Sequence, residues 1–211
     1  MTVNGAASNG GIVNIRTAGN LSVTGTGNAY AQTGGTTNIF SGGTLTAPNV
    51  NVSGGALQGN GTVVGNLNVN STGTVEAVVP NTNNPATLTV NGNYNQSGGT
   101  LATLLQGTGA GQVGTVSIGL GTVSLQGGIL QANFVNPLSP AAGQTFNNVL
   151  TFAPGSFNGL FAALQNGNGG FSANPTYLNL GSGLTLGVNY NNSAGNAQLQ
   201  VVNTPGTTAE N

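Results

Sequence analysis

Three side chains make up the whole charged inventory of this sequence: Arg16, Glu76 and Glu210. General acid–base catalysis needs a tuned acid and base within reach of each other. Glu76 is the only interior carboxylate, so no carboxylate pair can form within one chain. The sequence contains no His, Cys, Lys or Asp. A serine therefore has no histidine to activate it, and there is neither a thiol nor an amine nucleophile. Zinc takes Cys, His or carboxylate ligands, and the calcium-binding Gly-rich repeats use Asp, so no metal site and no cofactor is expected. Glu76 reads as an exposed or turn glutamate beside Val75 rather than as a lone catalytic base. The run GTGAGQVG at 107–114 superficially matches a phosphate loop but lacks its Lys; it reads as a glycine turn between strands. Tyr30, Tyr94, Tyr177 and Tyr190 would form a sugar-stacking platform if a repeat fold brought them to one face, although scattered surface or corner tyrosines are the expectation. Arg16 could pair with Glu76 or Glu210, an exposed contact of little energetic weight. NVS at 51–53 and NST at 70–72 match a glycosylation pattern that arises by chance in a chain so rich in Asn. The expected catalytic, cofactor and metal residues are none, and the protein is not expected to be an enzyme.

The elements that must hold these residues follow from composition. Charged residues are 1% of the 211, against about 25% in ordinary domains. Gly accounts for 38 residues, far above its usual share of about 7%. Disordered chains combine low hydrophobicity with high net charge; here the net charge is −1 and 37% of residues are apolar, many alternating with polar ones. Gly does not fall at every third position, which excludes collagen. With one Arg, phosphate-based nucleic-acid binding has no electrostatic basis. No stretch approaches the ~18 unbroken apolar residues of a membrane helix. The start MTVNGAASNGG shows neither a basic region nor an apolar run, so no signal peptide is visible. Either it was removed or export uses other means. The absence of Cys rules out a disulfide framework.

Small units recur along the chain. SGG occurs at 41–43, 53–55 and 97–99, and GTV at 61–63 and 73–75, with the close pairs twelve residues apart. GNLSV at 19–23 returns as GNLNV at 65–69. Each unit is a strand of three to five residues followed by Gly, Asn or Ser. In LNV at 67–69, Leu67 and Val69 share one face and Asn68 takes the other; VNV at 50–52, LTV at 88–90, VSI at 116–118 and LTL at 184–186 read alike. Helix periodicity is nearly absent, with one possible helical turn in GLFAALQNG at 159–167. Asn60-Gly61, Asn91-Gly92 and Asn158-Gly159 suit tight hairpin turns, which supports a meander or antiparallel β-sandwich. Strands this short, punctuated every few residues, fit a right-handed parallel β-solenoid (β-helix) better, because pairing then runs from coil to coil. The predicted fold is all-β, a parallel β-solenoid with a bulkier C-terminal capping region.

The stretch GGALQGNGTVVGNLNVNSTGTV at 54–75, followed by PATLTVNGNYNQSGGTL at 85–101, resembles the passenger repeats of bacterial autotransporters and related surface proteins. LQGGILQANFVNPLSPAAGQTFNNVLTFAPGSFNGLFAAL at 125–164 is similar to the C-terminal end of such passengers. The resemblance spans about residues 54–190 and implies a right-handed β-helix exported to the bacterial surface. Relatives usually place an acid before the strand matching 113–118, whereas QVGTVSI has none. From the end NTPGTTAEN, neither a membrane barrel nor a sorting anchor is expected.

The expected organisation is Gly/Asn/Thr-rich solenoid coils over 1–100, a C-terminal solenoid or capping region over 101–203, and a tail over 204–211 containing Pro205. Six of the seven Phe lie at or after Phe134, which suggests a wider end. A surface of amides and hydroxyls has almost nothing to repel with, and stacked Asn, Thr and Gln form hydrogen-bonded rows. Unsealed solenoid ends then favour head-to-tail joining. The function expected is an extracellular structural protein, located outside the cell or on the bacterial cell surface, that self-assembles into a fibre, matrix or sheath; its partner is a second copy of itself. The alternative is an adhesin passenger fragment, with the solenoid as a stalk or binding face and a cell-surface glycan as the candidate partner.

Overall fold

In the computed structural model, residues 1–25, 27–167, 169–174 and 176–204 are described. The chain winds through seven coils with three faces. The first coil comprises β1 (Thr2–Asn4), β2 (Ala7–Asn9) and β3 (Ile12–Ile15). In the second, β4 (Asn20–Thr24) stacks on β1, and the long β5 (Ala29–Ile39) bends around a corner to cover both β2 and β3. The third coil is one continuous run, β6 (Thr44–Gly59), which pairs with β4 and then β5. The fourth is β7 (Thr62–Val69) and β8 (Thr74–Ala77). The fifth is β9 (Thr87–Asn91), β10 (Tyr94–Gln96) and β11 (Thr100–Leu105). The sixth is β12 (Thr115–Leu120), β13 (Val123–Leu125) and β14 (Ile129–Phe134). The seventh is β15 (Thr145–Thr151), β16 (Phe157–Gly159) and β17 (Ala163–Asn166). Every coil-to-coil pairing is parallel, as the short-strand, turn-rich sequence predicts for a β-solenoid.

The parallel rule ends after the seventh coil. Here β18 (Phe171–Ser172) folds back antiparallel on β17. The strands β19 (Tyr177–Gly181), β20 (Leu184–Asn191) and β21 (Asn196–Asn203) form an antiparallel meander. Its last strand pairs antiparallel with β15, so the meander extends the first face and covers that end of the stack. The hairpin alternative thus describes only this cap. Asn60-Gly61 and Asn91-Gly92 lie at solenoid corners, and Asn158-Gly159 lies within β16. The possible helical turn at 159–167 is not a helix: it holds β17, because Ala163 to Asn166 register against Ile129 to Ala132 of β14.

The core is a set of inward rows. Val50, Leu67, Tyr94 and Val123 register one above another on the second face, and Leu57, Val75, Leu101 and Leu130 on the third. All are buried, and each large apolar side chain contributes about 1.5–3 kcal/mol by leaving water. The C-terminal coils are filled by aromatics: Phe134 meets Phe146 edge-on at 5.8 Å, and Phe152, Phe157 and Tyr190 stack at 4.9 and 5.4 Å. Glycine columns mark the corners, where successive backbones nearly touch. A Cβ on Gly55 (φ 64°) would lie 2.3 Å from the carbonyl oxygen of Gly35 in the coil below.

Candidate functional site

Because side chains alternate across each strand, every inward row has an outward counterpart, and these rows are the candidate functional surfaces. The second face carries two columns of asparagine. Asn68 Nδ2 donates to Asn51 Oδ1 at 2.8 Å, and Asn95 Nδ2 donates to Asn68 Oδ1 at 2.9 Å. Alongside, Asn66 Nδ2 donates to Asn49 Oδ1 at 3.2 Å, the Asn93 N–H donates to Asn66 Oδ1, and the Thr122 N–H to Asn93 Oδ1. The third face carries a shorter amide row, in which Asn38 Nδ2 donates to Asn14 Oδ1 and Gln58 Nε2 to Asn38 Oδ1, both at 2.8 Å. Within each row, one N–H of each amide is thus used on the oxygen of its neighbour.

The first face differs. Thr44, Thr62, Thr89, Ser117 and Thr151 register in one outward column across five coils, with Thr87 and Thr115 beside them in a second. Thr151 donates to Ser117 Oγ at 3.0 Å. Among the described residues, the hydroxyls of Thr44, Thr62, Thr87 and Thr89 make no side-chain hydrogen bond. At its C-terminal half this face deepens into a cleft of about 450 Å³, walled by the 108–111 loop and by Asn147 and Asn148, with Thr87, Thr115, Ser117 and Thr151 on its floor. Asn148 sits at a break in the β15–β21 register with φ 64°, and its Oδ1 accepts from Asn196 Nδ2 at 2.8 Å. The GTGAGQVG run supplies the wall. It is the turn joining β11 to β12, closed by the Gly109 N–H on Gln112 Oε1 at 2.9 Å.

The residues singled out by type scatter. Glu76 is neither exposed nor in a turn: it is a half-buried residue of β8, in register between Gln58 and Ala102. The third-face pattern TVEA puts Val75 and Ala77 inward and Glu76 outward, and the neighbouring 78–84 loop shields it. Its surroundings are a cleft of about 380 Å³ lined by Gln58, Val78, Asn81, Thr82, Asn83 and Leu104. Burial pushes its carboxyl above the ordinary value, and no second acid or base lines the cleft. Arg16 forms no ion pair among the described residues; its guanidinium lies 5.2 Å over the Phe40 ring. Glu210 and Pro205, with the rest of the 205–211 tail, lie outside the described residues.

The tyrosines neither gather into a platform nor scatter over the surface. Tyr30 and Tyr94 are 2% and 0% exposed and belong to the inward rows, and burial raises both phenols. Tyr94 donates to Gln96 Oε1 at 2.6 Å. Tyr190 packs among Phe157 and Phe161, its phenol pushed up to about 12 by burial. Only Tyr177, on the edge strand β19, is open to solvent, at 54% exposed. Sequence reasoning also missed an internal polar cluster. Asn9 Nδ2 donates to Gln32 Oε1 at 3.1 Å and to Thr37 Oγ1 at 3.0 Å, and Thr37 also bonds to the Tyr30 hydroxyl and to Gln32. The available signal was polar Gln32 and Thr37 at positions that the strand alternation turns inward.

Fold and surface together define an all-β solenoid of very low charge with a meander cap, faced by two largely amide surfaces and one hydroxyl surface. No protein-family model, no curated protein and no solved structure matches the chain.

Proposed function

We propose that this protein is an extracellular structural protein that self-assembles into a fibre, matrix or sheath, in keeping with its resemblance to bacterial surface passengers. The observation behind the reading is the first coil: among the described residues, β1, β2 and β3 each pair on one side only, with β4 and β5. Unpaired strand edges attract further strands, and here almost no charge opposes the approach of a second copy. At the other end, among the described residues, β16 takes its strand partner from β13 alone, with Asn192 Nδ2 donating to the Phe157 carbonyl on its outer edge; the first coil of the next copy would displace that one contact to pair there. A head-to-tail contact of this kind does not close and grows into a filament. Negative-stain microscopy and light scattering at neutral pH provide the test. The wild-type chain is expected to form elongated assemblies, whereas a Thr2→Lys, Ser8→Lys variant, whose lysines on the first-coil edge strands disfavour further strand pairing, stays monomeric. Persistent wild-type monomers would sink the reading.

A second reading, an adhesin stalk, is favoured by the meander over one end of the stack. A solenoid capped on its first face has a defined terminus, as a stalk requires. On this reading the chain binds a target as a monomer, which the same measurement distinguishes.

A further inference from the structure

The three faces offer unequal opportunities to a ligand. On the second face, and along the third from Asn14 to Gln58, amide donors and acceptors are engaged with each other. A ligand there competes with these bonds and finds only the second N–H of each amide and the oxygens at the row ends, such as Gln58 Oε1, unused. On the first face, Thr44, Thr62 and Thr89 stand in register with hydroxyls that the described residues leave free, and Thr87 adds a fourth on the floor of the cleft. We propose that this hydroxyl face and its cleft form a binding track for an extended, neutral polysaccharide lying along the solenoid axis.

The chemistry of the occupant follows from what lines the track. Among the described residues, no charged side chain borders the 450 Å³ cleft or the shallower groove farther along the same face, which is lined by Ser22, Thr46, Val64 and Asn91 among others. An anionic polymer or nucleic acid would find no cation there, and a cationic one no carboxylate. A polyol meets hydroxyls and amides that both donate and accept. Spacing narrows the class further. Successive coils are about 4.8 Å apart, close to the advance per sugar of an extended pyranose chain, so one sugar can meet each coil. A single hydroxyl contact adds little net free energy, because water supplies an equivalent one (about 0.5–1.5 kcal/mol each). Affinity must therefore come from repetition along the rows, with the cleft holding one end of the chain between the 108–111 loop and Asn147.

This proposal goes beyond the assembly reading and holds for a fibre subunit or a stalk alike. The test measures binding of labelled neutral β-linked gluco-oligosaccharides, from disaccharide to hexasaccharide, with fibrous cellulose and chitin as long-chain probes and heparin as the charged comparison. Affinity should rise with each added sugar, because neighbouring contacts raise the effective concentration of the next. It should not change between about 0.05 and 0.5 M NaCl, because there is no charge to screen. The Thr62→Val, Thr89→Val variant keeps shape and strand preference and should lose about tenfold in affinity, or about 1.4 kcal/mol, with an unchanged melting temperature. Ser124→Val, on the second face, should bind as wild type. Three results overturn the track: no binding of any neutral saccharide by folded protein, equal loss in the second-face variant, or binding confined to heparin. Assembly scored on the same samples keeps the two questions apart, since a monomer that binds sinks the fibre and leaves the track standing, and a fibre that does not bind does the reverse.

Discussion

Glu76 continues an amide row whose polarity is set by the residues beneath it. Gln58 gives its Nε2 to Asn38, which leaves Oε1 as its free acceptor, and Glu76 is the next residue in register. A protonated carboxyl can donate to that acceptor; an ionised one cannot. Among the described residues, no titratable group faces it from the packed elements: β6 offers Gln58, β11 offers Ala102, and the 78–84 loop and Leu104 complete the cleft. Burial raises the carboxyl's folded-state pKa above the ordinary value. Between the unfolded and folded values the folded chain therefore binds more protons, and stability falls as pH rises through that window. The contribution is complete below the unfolded value and lost above the folded one. Urea unfolding between about pH 4 and pH 8 should show wild-type stability declining with pH and Glu76→Gln nearly flat. Glu76→Gln should be the more stable of the two at pH 7. A wild-type profile that rises with pH would show that the carboxylate has a stabilising partner instead.

At the scale of elements, the corners decide the fold. Gly65 joins the first face to the second with φ 126°, and a Cβ there would lie 1.7 Å from the carbonyl oxygen of Ala47 in the coil below. Gly65→Ala must therefore displace backbone, at a cost of about 3 kcal/mol or more. Gly111 also has positive φ (76°) but meets nothing within 4 Å, so Gly111→Ala should cost only the left-handed strain of about 1–2 kcal/mol. Thermal unfolding of the pair separates steric contact from backbone preference. The same corners explain what the sequence disclosed. Short alternating strands and glycine punctuation were legible, and they gave the solenoid. The coil length was not: GTV at 61–63 and 73–75 opens the first-face and third-face strands of one coil, β7 and β8, so twelve residues spans two faces and passes over the Gly65 corner between them. True coil partners lie 17 apart at Asn49 and Asn66 but 34 apart at Ser117 and Thr151. All three faces use the same apolar–polar–apolar code, so a recurring motif does not say which face it occupies. The hydroxyl surface was hidden for that reason: Thr44, Thr62 and Thr89 align only once the unequal coil lengths are known. The third-face placement of Glu76 and the inward turn of Tyr30 and Tyr94 were hidden likewise.

For the whole molecule, a stack in which each coil touches only its neighbours stores stability as a sum of local terms and contacts between adjacent coils. Its two ends differ. The first coil is thinly buried, with Ile12 74% exposed, and it is paired on one side only. The seventh is held by β18 and by the β19–β21 meander, whose Leu178, Leu186, Leu199 and Val201 are buried. Opening should therefore start at β1–β3 and proceed coil by coil rather than all at once, because removing the first coil costs one interface while the next stays paired above. Native-state hydrogen exchange should show protection climbing from β1–β3 through β4 and β5 to a plateau across β6–β14. Protection in β20 and β21 should match that plateau, since the cap shares the core of the last coils. Assembly supplies a second reading of the same gradient. If copies join through the first coil, raising the protein concentration should protect β1–β3 selectively and leave the central coils unchanged, as binding stabilises only the state that binds. Uniform protection from end to end, independent of concentration, would show that the first coil is already held and that its free edge is not where copies join.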